Sequence, residues 1–303
     1  MIEIIRKTNI DFMGKRKIAM TISSILVLIG LFAVIQVARG TANLGIDFAG
    51  GTAVQIKFNH SVELQEVRQT LTDGGIEDYD LQDLPTENKV LIRTKKGEVT
   101  LGNLAKQIVA VLAQKYSEEN IVVDSTTEIG PKVGARLRQD ALWAIIAAIV
   151  GILIYITFRF QFRFGIGATV ATFHDVMAVL SVFFIMGKEI NLVVVSALLM
   201  IAGYSLTDTV VVYDRIRENL RYVRKKSTVE IVNQSLNEVL SRTIITSLTT
   251  FFAALALYLL GGEVIHDFAF AIMLGIAIGT YSSMFVASPI VLLLGEDKVS
   301  SKK

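Results

Sequence analysis

The chain has 303 residues, of which 52% are hydrophobic and 19% are charged, and its mean hydropathy is +0.54. This composition is too apolar for an ordinary soluble domain and indicates an integral membrane protein. The net charge of +2 gives no reason to expect nucleic acid as a partner, and the absence of cysteine excludes disulfides and thiolate metal sites.

The apolar residues are clustered in six runs, each long enough to cross the roughly 30 Å core of a bilayer. The first run, 18–37, contains no charged residue and follows a predicted cytoplasmic tail at 1–17. A signal peptide is the rival interpretation, but this run exceeds the usual apolar length of about 7 to 15 residues and no A-x-A site follows it, so we predict a retained helix. The other predicted spans are 141–158, 165–187, 192–213, 243–260 and 268–294.

Lysine and arginine residues predict the orientation of these spans. Five of them lie in 1–17, two lie at the ends of the turn 159–163, seven lie in 214–242 and three lie in 295–303. The opposite side has only Lys188 in its short loops. Because short cytoplasmic loops carry the excess of basic residues, both termini are predicted to be cytoplasmic, the second one as a short tail at 295–303.

The long segment 38–140 is then predicted to be extracytoplasmic, and there the pattern changes to alternation and short amphipathic stretches. This order of elements is typical of the ferredoxin-like split βαβ motif. The predicted fold class is a membrane protein with six transmembrane α-helices, at 18–37 and within 141–294, and a small ferredoxin-like α+β domain between spans 1 and 2. The predicted elements are a strand at 53–58, a helix at 61–71, strands at 79–84 and 89–93 joined near Pro85, a helix at 101–116 and a strand at 121–124.

Motifs for nucleotide hydrolysis and metal catalysis are absent, since neither G-x-x-x-x-G-K-[ST] nor H-E-x-x-H occurs. His60 lies at a predicted strand-to-helix turn without a second nearby histidine, so a surface turn residue is a better interpretation than a metal ligand. We therefore predict no enzyme activity, no cofactor and no metal. An ion gradient is the predicted energy source for any work that the protein does.

Ionisable side chains inside the predicted spans are the strongest functional signal, because an uncompensated charge at a helix centre costs about 2.5 to 3.5 kcal/mol. His174 and Asp175 lie near the middle of the third span, and Asp208 lies in the inner half of the fourth. Arg242 opens the fifth span, and Thr246 follows it one turn later on the same face. We predict an ion relay in which Asp208 takes and releases a proton and Arg242, its preferred partner, sets which form is favoured.

Each of these residues also has a structural interpretation. The alternative role of Asp208 is that of a hydrogen-bond acceptor between helices. The alternative role of Arg242 is that of a positive-inside anchor that extends its side chain to the membrane surface. His174 and Asp175 are consecutive and point about 100° apart on a helix, so we expect that they cannot both face one site squarely, and we rank Asp175 first.

Two further patterns predict packing. Gly275 and Gly279 form a GxxxG pair on the last span, for which tight packing inside the chain is a better interpretation than a subunit interface. Ser227 and Glu230 form a capping box, which predicts a cytoplasmic amphipathic helix near 227–241 along the membrane surface.

Four sequence motifs resemble the SecF family of bacterial protein-export proteins, and the resemblance covers nearly the whole chain in order. The motifs are GIDFAGG at 45–51, IGPKVG at 129–134, GYSLTDTVVVYDRIREN at 203–219, and RTI at 242–244 with the threonines and serine that follow it. The resemblance implies that Asp208 and Arg242 take part in ion coupling. His174 and Asp175 match a further family pair, and Thr207 stands where many relatives carry Asn, which leaves the choice between proton and sodium open.

The resemblance also implies location and partners. It implies a multi-pass protein of the bacterial plasma (inner) membrane that pairs with SecD, a homologous six-span protein, in a unit similar to a resistance-nodulation-division transporter. This unit is expected to associate with the SecYEG translocon and to use the proton motive force, or sodium in some bacteria, to promote late stages of preprotein translocation. The expected partners are SecD, SecYEG, the preprotein and the lipid bilayer.

Three rival functions make different demands on the sequence. An ion-coupled exporter of small molecules or lipids from the same superfamily needs a larger external region than 38–140. An intramembrane aspartyl protease using Asp175 and Asp208 needs two carboxyl groups that share a proton, and G-x-G-D does not surround the second one. A passive assembly scaffold needs the charged residues only to position helices.

Overall fold

The computed structural model describes residues 8–76, 79–84, 88–94, 103–117, 120–223 and 226–294. Within these residues, six helical segments are long and apolar enough to cross a membrane, and each contains one of the six predicted spans or nearly all of it. The whole predicted tail 295–303 and residues 1–7 of the predicted tail 1–17 lie outside the described residues. The long helices are α1 Arg16–Arg39, α5 Pro131–Arg159, α6 Phe162–Ile185, α7 Leu192–Tyr222, α8 Thr228–Leu260 and α9 Glu263–Ser282, and the last span continues through a π-helical turn, Ser283–Ala287, into α10 Ser288–Leu293.

The helix ends follow local sequence signals. Gly40 ends α1 in the left-handed conformation, with φ of 74°. Pro131 opens α5 at a position where its missing N–H costs no hydrogen bond. Asn191 caps α7 by accepting from the backbone N–H of Val194 at 3.0 Å. The capping box predicted at the start of α8 is confirmed, with Ser227 and Glu230 bonded reciprocally.

Between α1 and α5 the chain forms a short helix and a four-stranded antiparallel sheet whose strand order is β2-β3-β1-β4. The predicted order of strand, helix, strand, strand, helix, strand is present, although the last strand extends five residues beyond its predicted end at 124. Pro85 and the first two residues of the helix predicted at 101–116 lie outside the described residues. The elements are α2 Ile46–Ala49, β1 Gly51–Phe58, α3 Leu64–Asp73, β2 Tyr79–Leu84, β3 Lys89–Thr94, α4 Asn103–Tyr116 and β4 Ile121–Ile129.

The sheet domain has its own apolar core between one face of the sheet and the two helices. Strand β3 alternates buried and half-buried residues along its length, as a strand with one covered face does. Ile56 and Ile92 from the sheet pack with Leu71 of α3 and Ile108 of α4, and all four are fully buried. This core is separate from the clusters that hold the long helices together.

Because its core is self-contained, we expect residues 45–130 to fold when they are produced without the spans. The expected circular dichroism spectrum contains both helix and strand, with cooperative thermal unfolding. In this fragment Ile92→Ala should lower the free energy of unfolding by about 3 kcal/mol, since it leaves a cavity in the core. Val122→Ala, at a side chain that is 54% exposed on β4, should change it by less than about 0.5 kcal/mol. A random-coil spectrum, or equal effects of the two substitutions, would contradict this prediction.

The base of the sheet domain is bonded to the start of α7. The backbone N–H of Gly45 donates to the carbonyl of Ile190 at 2.9 Å, and the N–H of Ile190 donates to the carbonyl of Asn43 at 2.9 Å. The carboxylate of Asp47 accepts from the N–H of Leu192, the first residue of α7, at 3.1 Å. The sheet domain is therefore attached directly to the helix that carries Asp208.

The amphipathic helix predicted near 227–241 is not a separate helix on a surface, because residues 228–260 form the single helix α8. Its apolar face, including Val232, Leu236 and Leu240, is buried against other parts of the same protein, so it has no apolar face left for lipid. Neither glycine nor proline occurs within this helix to end it before the span.

Residues 8–13 of the predicted N-terminal tail are packed on this first half of α8. Asn237 bonds both backbone groups of Ile10, and Asn233 accepts from the N–H groups of Phe12 and Met13. The backbone N–H of Gly14 and the side-chain amide of Asn233 donate to Asp11 and hold the pKa of its carboxyl below the ordinary value. This part of the tail is thus a fixed element of the bundle.

Candidate ion-coupling site

Four long helices bring two buried carboxylates and their polar neighbours together inside a largely apolar bundle. The close approach of α9 to α7 depends on the two glycines of the GxxxG pair. A Cβ atom at Gly275 would come within 2.3 Å of Ile201, and one at Gly279 within 3.1 Å of Ser205. The prediction of tight packing inside the chain is therefore confirmed. The polar residues are His174 and Asp175 on α6, Ser205 and Asp208 on α7, Ser247 on α8, and Thr280 and Ser282 on α9.

Asp208 is 4% exposed and is bonded to a short series of hydroxyl groups. The hydroxyl of Ser247 lies 3.2 Å from the Oδ2 atom of Asp208 and 2.7 Å from the hydroxyl of Thr280. The hydroxyl of Thr280 lies in turn 2.8 Å from the backbone carbonyl of Ile276. The series joins α7, α8 and α9.

Each hydroxyl has only one hydrogen to donate, so the direction of these bonds depends on the charge of Asp208. With an ionised carboxylate, Thr280 donates to Ser247 and Ser247 donates to Asp208. With a protonated carboxyl, Asp208 donates to Ser247, Ser247 donates to Thr280, and Thr280 donates to the carbonyl of Ile276. Asp208 can therefore gain or lose a proton without leaving a hydroxyl hydrogen unpaired.

Asp175 is fully buried and forms a second cluster. Its Oδ1 atom lies 2.8 Å from Nδ1 of His174, and its Oδ2 atom accepts from the hydroxyls of Ser205 and Ser282, the latter at 2.8 Å. His174 and Asp175 were expected not to face one site squarely, and of the two only Asp175 is hydrogen-bonded to α7 and α9, although the His174 imidazole contacts its carboxylate. The Nε2 atom of His174 is buried and has no hydrogen-bond partner among the described residues.

We expect Asp175→Leu to loosen the packing of α6 against α7 and α9. Leucine has a similar size but no acceptor, so the interhelical bonds that the hydroxyls of Ser205 and Ser282 donate to Oδ2 of Asp175 are lost. Interhelical hydrogen bonds in membranes average about 0.6 kcal/mol each, so the loss of both amounts to about 1 kcal/mol of unfolding free energy. Titration of the purified chain with a denaturing detergent measures this change. Thr207→Val, at an exposed position, is the control, and an equal shift in both variants would contradict the prediction.

Among the described residues, no hydrogen bond or ion pair joins Asp208 to Arg242, Thr246 or Thr207. Arg242 and Thr246 lie on the exposed face of α8, and among the described residues no carboxylate lies within 4.0 Å of the Arg242 guanidinium. The hydroxyl of Thr246 donates to the carbonyl of Arg242 at 3.0 Å, and that of Thr207 donates to the carbonyl of Tyr204 at 2.7 Å. Arg242 and Asp208 thus form no direct ion pair within the isolated chain, although the guanidinium is close enough to act on the carboxylate through its charge.

The residues of α8 that turn toward Asp208 lie one position after the predicted pair, Arg242 and Thr246. These residues are Thr243 and Ser247, which are both buried. One residue corresponds to a rotation of about 100°, and both pairs have the same spacing of four. Ser247, Thr280, Ser205 and Ser282 are therefore the site residues that were not predicted. The available signal was their position as hydroxyl residues inside apolar spans.

The fold and the site together define a multi-pass membrane protein with two buried carboxylates held by hydroxyls from neighbouring spans. Comparison with known families identifies the class. Residues 108–297 match the family of protein export membrane proteins SecD/SecF, in its C-terminal part, and residues 42–62 match the SecD/SecF GG motif. The chain belongs to the SecD/SecF family.

Individual relatives agree with this assignment. The chain is 58% identical over 301 residues to the protein translocase subunit SecF of Thermodesulfovibrio yellowstonii, covering 99% of both chains. It is 44% identical over 297 residues to the subunit of the same name from Calditerrivibrio nitroreducens, covering 97% of both. Its structure is similar to the crystal structure of SecDF, a translocon-associated membrane protein from Thermus thermophilus, with a TM-score of 0.81 and 32% identity. That similarity covers 98% of this chain and 40% of the longer SecDF chain.

Proposed function

We propose that the chain is the SecF-type subunit of a SecDF complex that uses an ion gradient across the bacterial inner membrane to promote late stages of preprotein translocation through SecYEG. The observation that carries the proposal is Asp208, a buried carboxyl group whose hydroxyl partners can pair with it in either protonation state. An ionisable residue inside a span is costly, and in transporters such residues mark ion pathways. Asp175, with donors from three directions, is assigned to holding the spans around Asp208.

The proposed partner is SecD, and the exposed polar face of α7 and α8 supports this. Thr207 on α7 and Arg242, Thr246 and Thr249 on α8 are exposed although they lie in or at the end of spans. The threonine hydroxyls already donate to backbone carbonyls of their own helices, so the guanidinium is the group that lipid would leave unsatisfied, and this face is expected to be covered by another protein. A partner that places a carboxylate opposite Arg242 would satisfy the guanidinium and bring a second charge close to Asp208.

We further propose that the sheet domain, with its connectors at 38–140, has the ferredoxin-like fold and is extracytoplasmic. The order β2-β3-β1-β4, with helices α3 and α4 in the two crossovers, supports the fold. The excess of basic residues at the opposite ends of the spans supports the location and cytoplasmic termini. Since Gly45 and Asp47 are bonded to the start of α7, a shift of α7 would reach the external domain through these contacts.

The proposal is tested by reconstituting the chain with SecD and SecYEG in proteoliposomes and measuring the release of a preprotein that the ATP-driven motor has already inserted. A proton gradient and a sodium gradient are imposed in separate experiments, which also identifies the coupling ion. We expect release to accelerate with one of the gradients. Equal release with and without both gradients would contradict ion coupling, and a gradient effect that persists without this chain would contradict its role as the coupled subunit.

A further inference from the structure

A cavity of about 160 Å³ lies between α1, α5 and α6, on the side of these helices that is nearer to the sheet domain. It runs along α5 from Arg138 to Ile149, a distance of about 16 Å at 1.5 Å per residue. Every other side chain that lines it is apolar. Apolar cavities of about this size stay dry and accept small hydrocarbons.

The cavity is positioned to receive hydrocarbon from the bilayer. Helices α1 and α5 both pack on α6 and leave a gap between them. Leu31 of α1 and Ile146 of α5 line the cavity and are 40% and 48% exposed, so the gap opens toward the surface that lipid covers.

The positively charged side chain of Arg138 lies at one end of the cavity. The half-buried Arg138 has no carboxylate within 4.0 Å among the described residues, whereas the neighbouring Arg136 lies 3.9 Å from Asp140. The Arg138 guanidinium packs at Gly40, since a Cβ atom there would come within 2.9 Å of its Nη1 atom. Arg39, the last residue of α1, is exposed beside it. This end is at the level where the spans leave the membrane and where lipid headgroups lie.

We propose that the cavity is a binding site for an anionic phospholipid, with a segment of one acyl chain between α1 and α5 and the phosphate at Arg138. The apolar lining fits a segment of the acyl chain, and a guanidinium without a counterion fits the headgroup phosphate. The charge at a single end of an elongated apolar cavity distinguishes this occupant from a free anion, which would not fill the lining, and from an apolar helix, which would leave the guanidinium unpaired.

The chain has a single tryptophan, Trp143, which is 61% exposed on α5 beside the lining residues Ala141 and Leu142, and it serves as the reporter. The full chain is reconstituted in phosphatidylcholine with a small fraction of phosphatidylglycerol that carries brominated acyl chains, and quenching of Trp143 is measured. Brominated phosphatidylcholine at the same fraction gives the background. We expect quenching that corresponds to about fivefold enrichment of the anionic lipid, as expected for about 1 kcal/mol from one basic residue.

Three variants separate this site from general attraction to the membrane surface. Arg138→Gln should abolish the enrichment, while Arg136→Gln, which removes the same charge two residues away at an 84% exposed side chain, should retain it. Ala141→Leu keeps every charge but fills the cavity, and it should also abolish the enrichment. Equal quenching by the two brominated lipids, equal loss in the two Arg variants, or full enrichment in Ala141→Leu would each overturn the proposal. Loss of the enrichment when SecD is added would assign the cavity to a protein interface and overturn it as well.

Discussion

Replacement of Asp208 by Asn is expected to reduce preprotein release to the rate seen without a gradient, while the protein still inserts and still binds SecD. Asn nearly keeps the volume of the side chain, and its amide can remain bonded to Ser247, so the packing of α7 against α8 and α9 is preserved. The amide of Asn cannot take up or release a proton. The hydrogen bonds of Ser247 and Thr280 therefore no longer reverse their direction with the protonation state of residue 208. The measurement is release in the presence and absence of the imposed gradient, with SecD binding followed by co-purification.

Two comparisons make the Asp208 result specific. Asp140→Asn makes the same chemical change at a side chain that is 66% exposed on α5, and its response to the gradient should be normal. Asp208→Glu retains a titratable group one methylene further out, so part of the response should remain. A normal gradient response in Asp208→Asn would remove this residue from ion coupling and leave it as a structural acceptor between helices.

The spans and the order of elements in the sheet domain could be predicted because their signals are local and strong. Apolar runs long enough to cross a bilayer identify helices directly, and alternation in β3 reflects one covered face. Helix ends were less predictable. The span predicted to begin at 243 is the second half of a helix that begins at Thr228, since the first half of that helix packs against residues 8–13 and α7 rather than on a membrane surface.

The rotation of each span about its axis could not be predicted, because apolar residues surround these helices and leave no clear polar face. On α8, Arg242 with Thr246 and Thr243 with Ser247 have the same spacing, and only the packing decides which pair turns inward. The contact between His174 and Asp175 depends on a side-chain rotation that helical geometry does not specify. Resemblance to the SecF family pointed to Asp208 and Arg242 together, whereas the isolated chain brings only Asp208 into the buried cluster.

Arg242 is the residue whose role depends on the partner, and Arg242→Lys is expected to lose most of the gradient-dependent release while keeping topology and abundance. In the isolated chain the guanidinium is exposed and unpaired among the described residues. If it served only as a cytoplasmic anchor, Lys would replace it, because Lys also satisfies the positive-inside rule and also reaches the membrane surface. If it pairs with a carboxylate of SecD, the planar fork of the guanidinium is needed and Lys is a poor substitute.

A double variant and a control substitution at another arginine distinguish the pairing role of Arg242 from the anchor role. Adding Arg242→Lys to Asp208→Asn should cause little further loss if both residues act in one step, since coupled residues are not additive. Arg159→Lys, at an exposed arginine that ends α5 on the same side of the membrane, should leave release unchanged. Co-purification should also respond, because an Arg242 that pairs across the interface contributes to SecD binding whereas an anchor does not. Full activity of Arg242→Lys with unaltered SecD binding, or a clearly additive defect in the double variant, would place Arg242 among the anchors and leave Asp208 to couple ions without it.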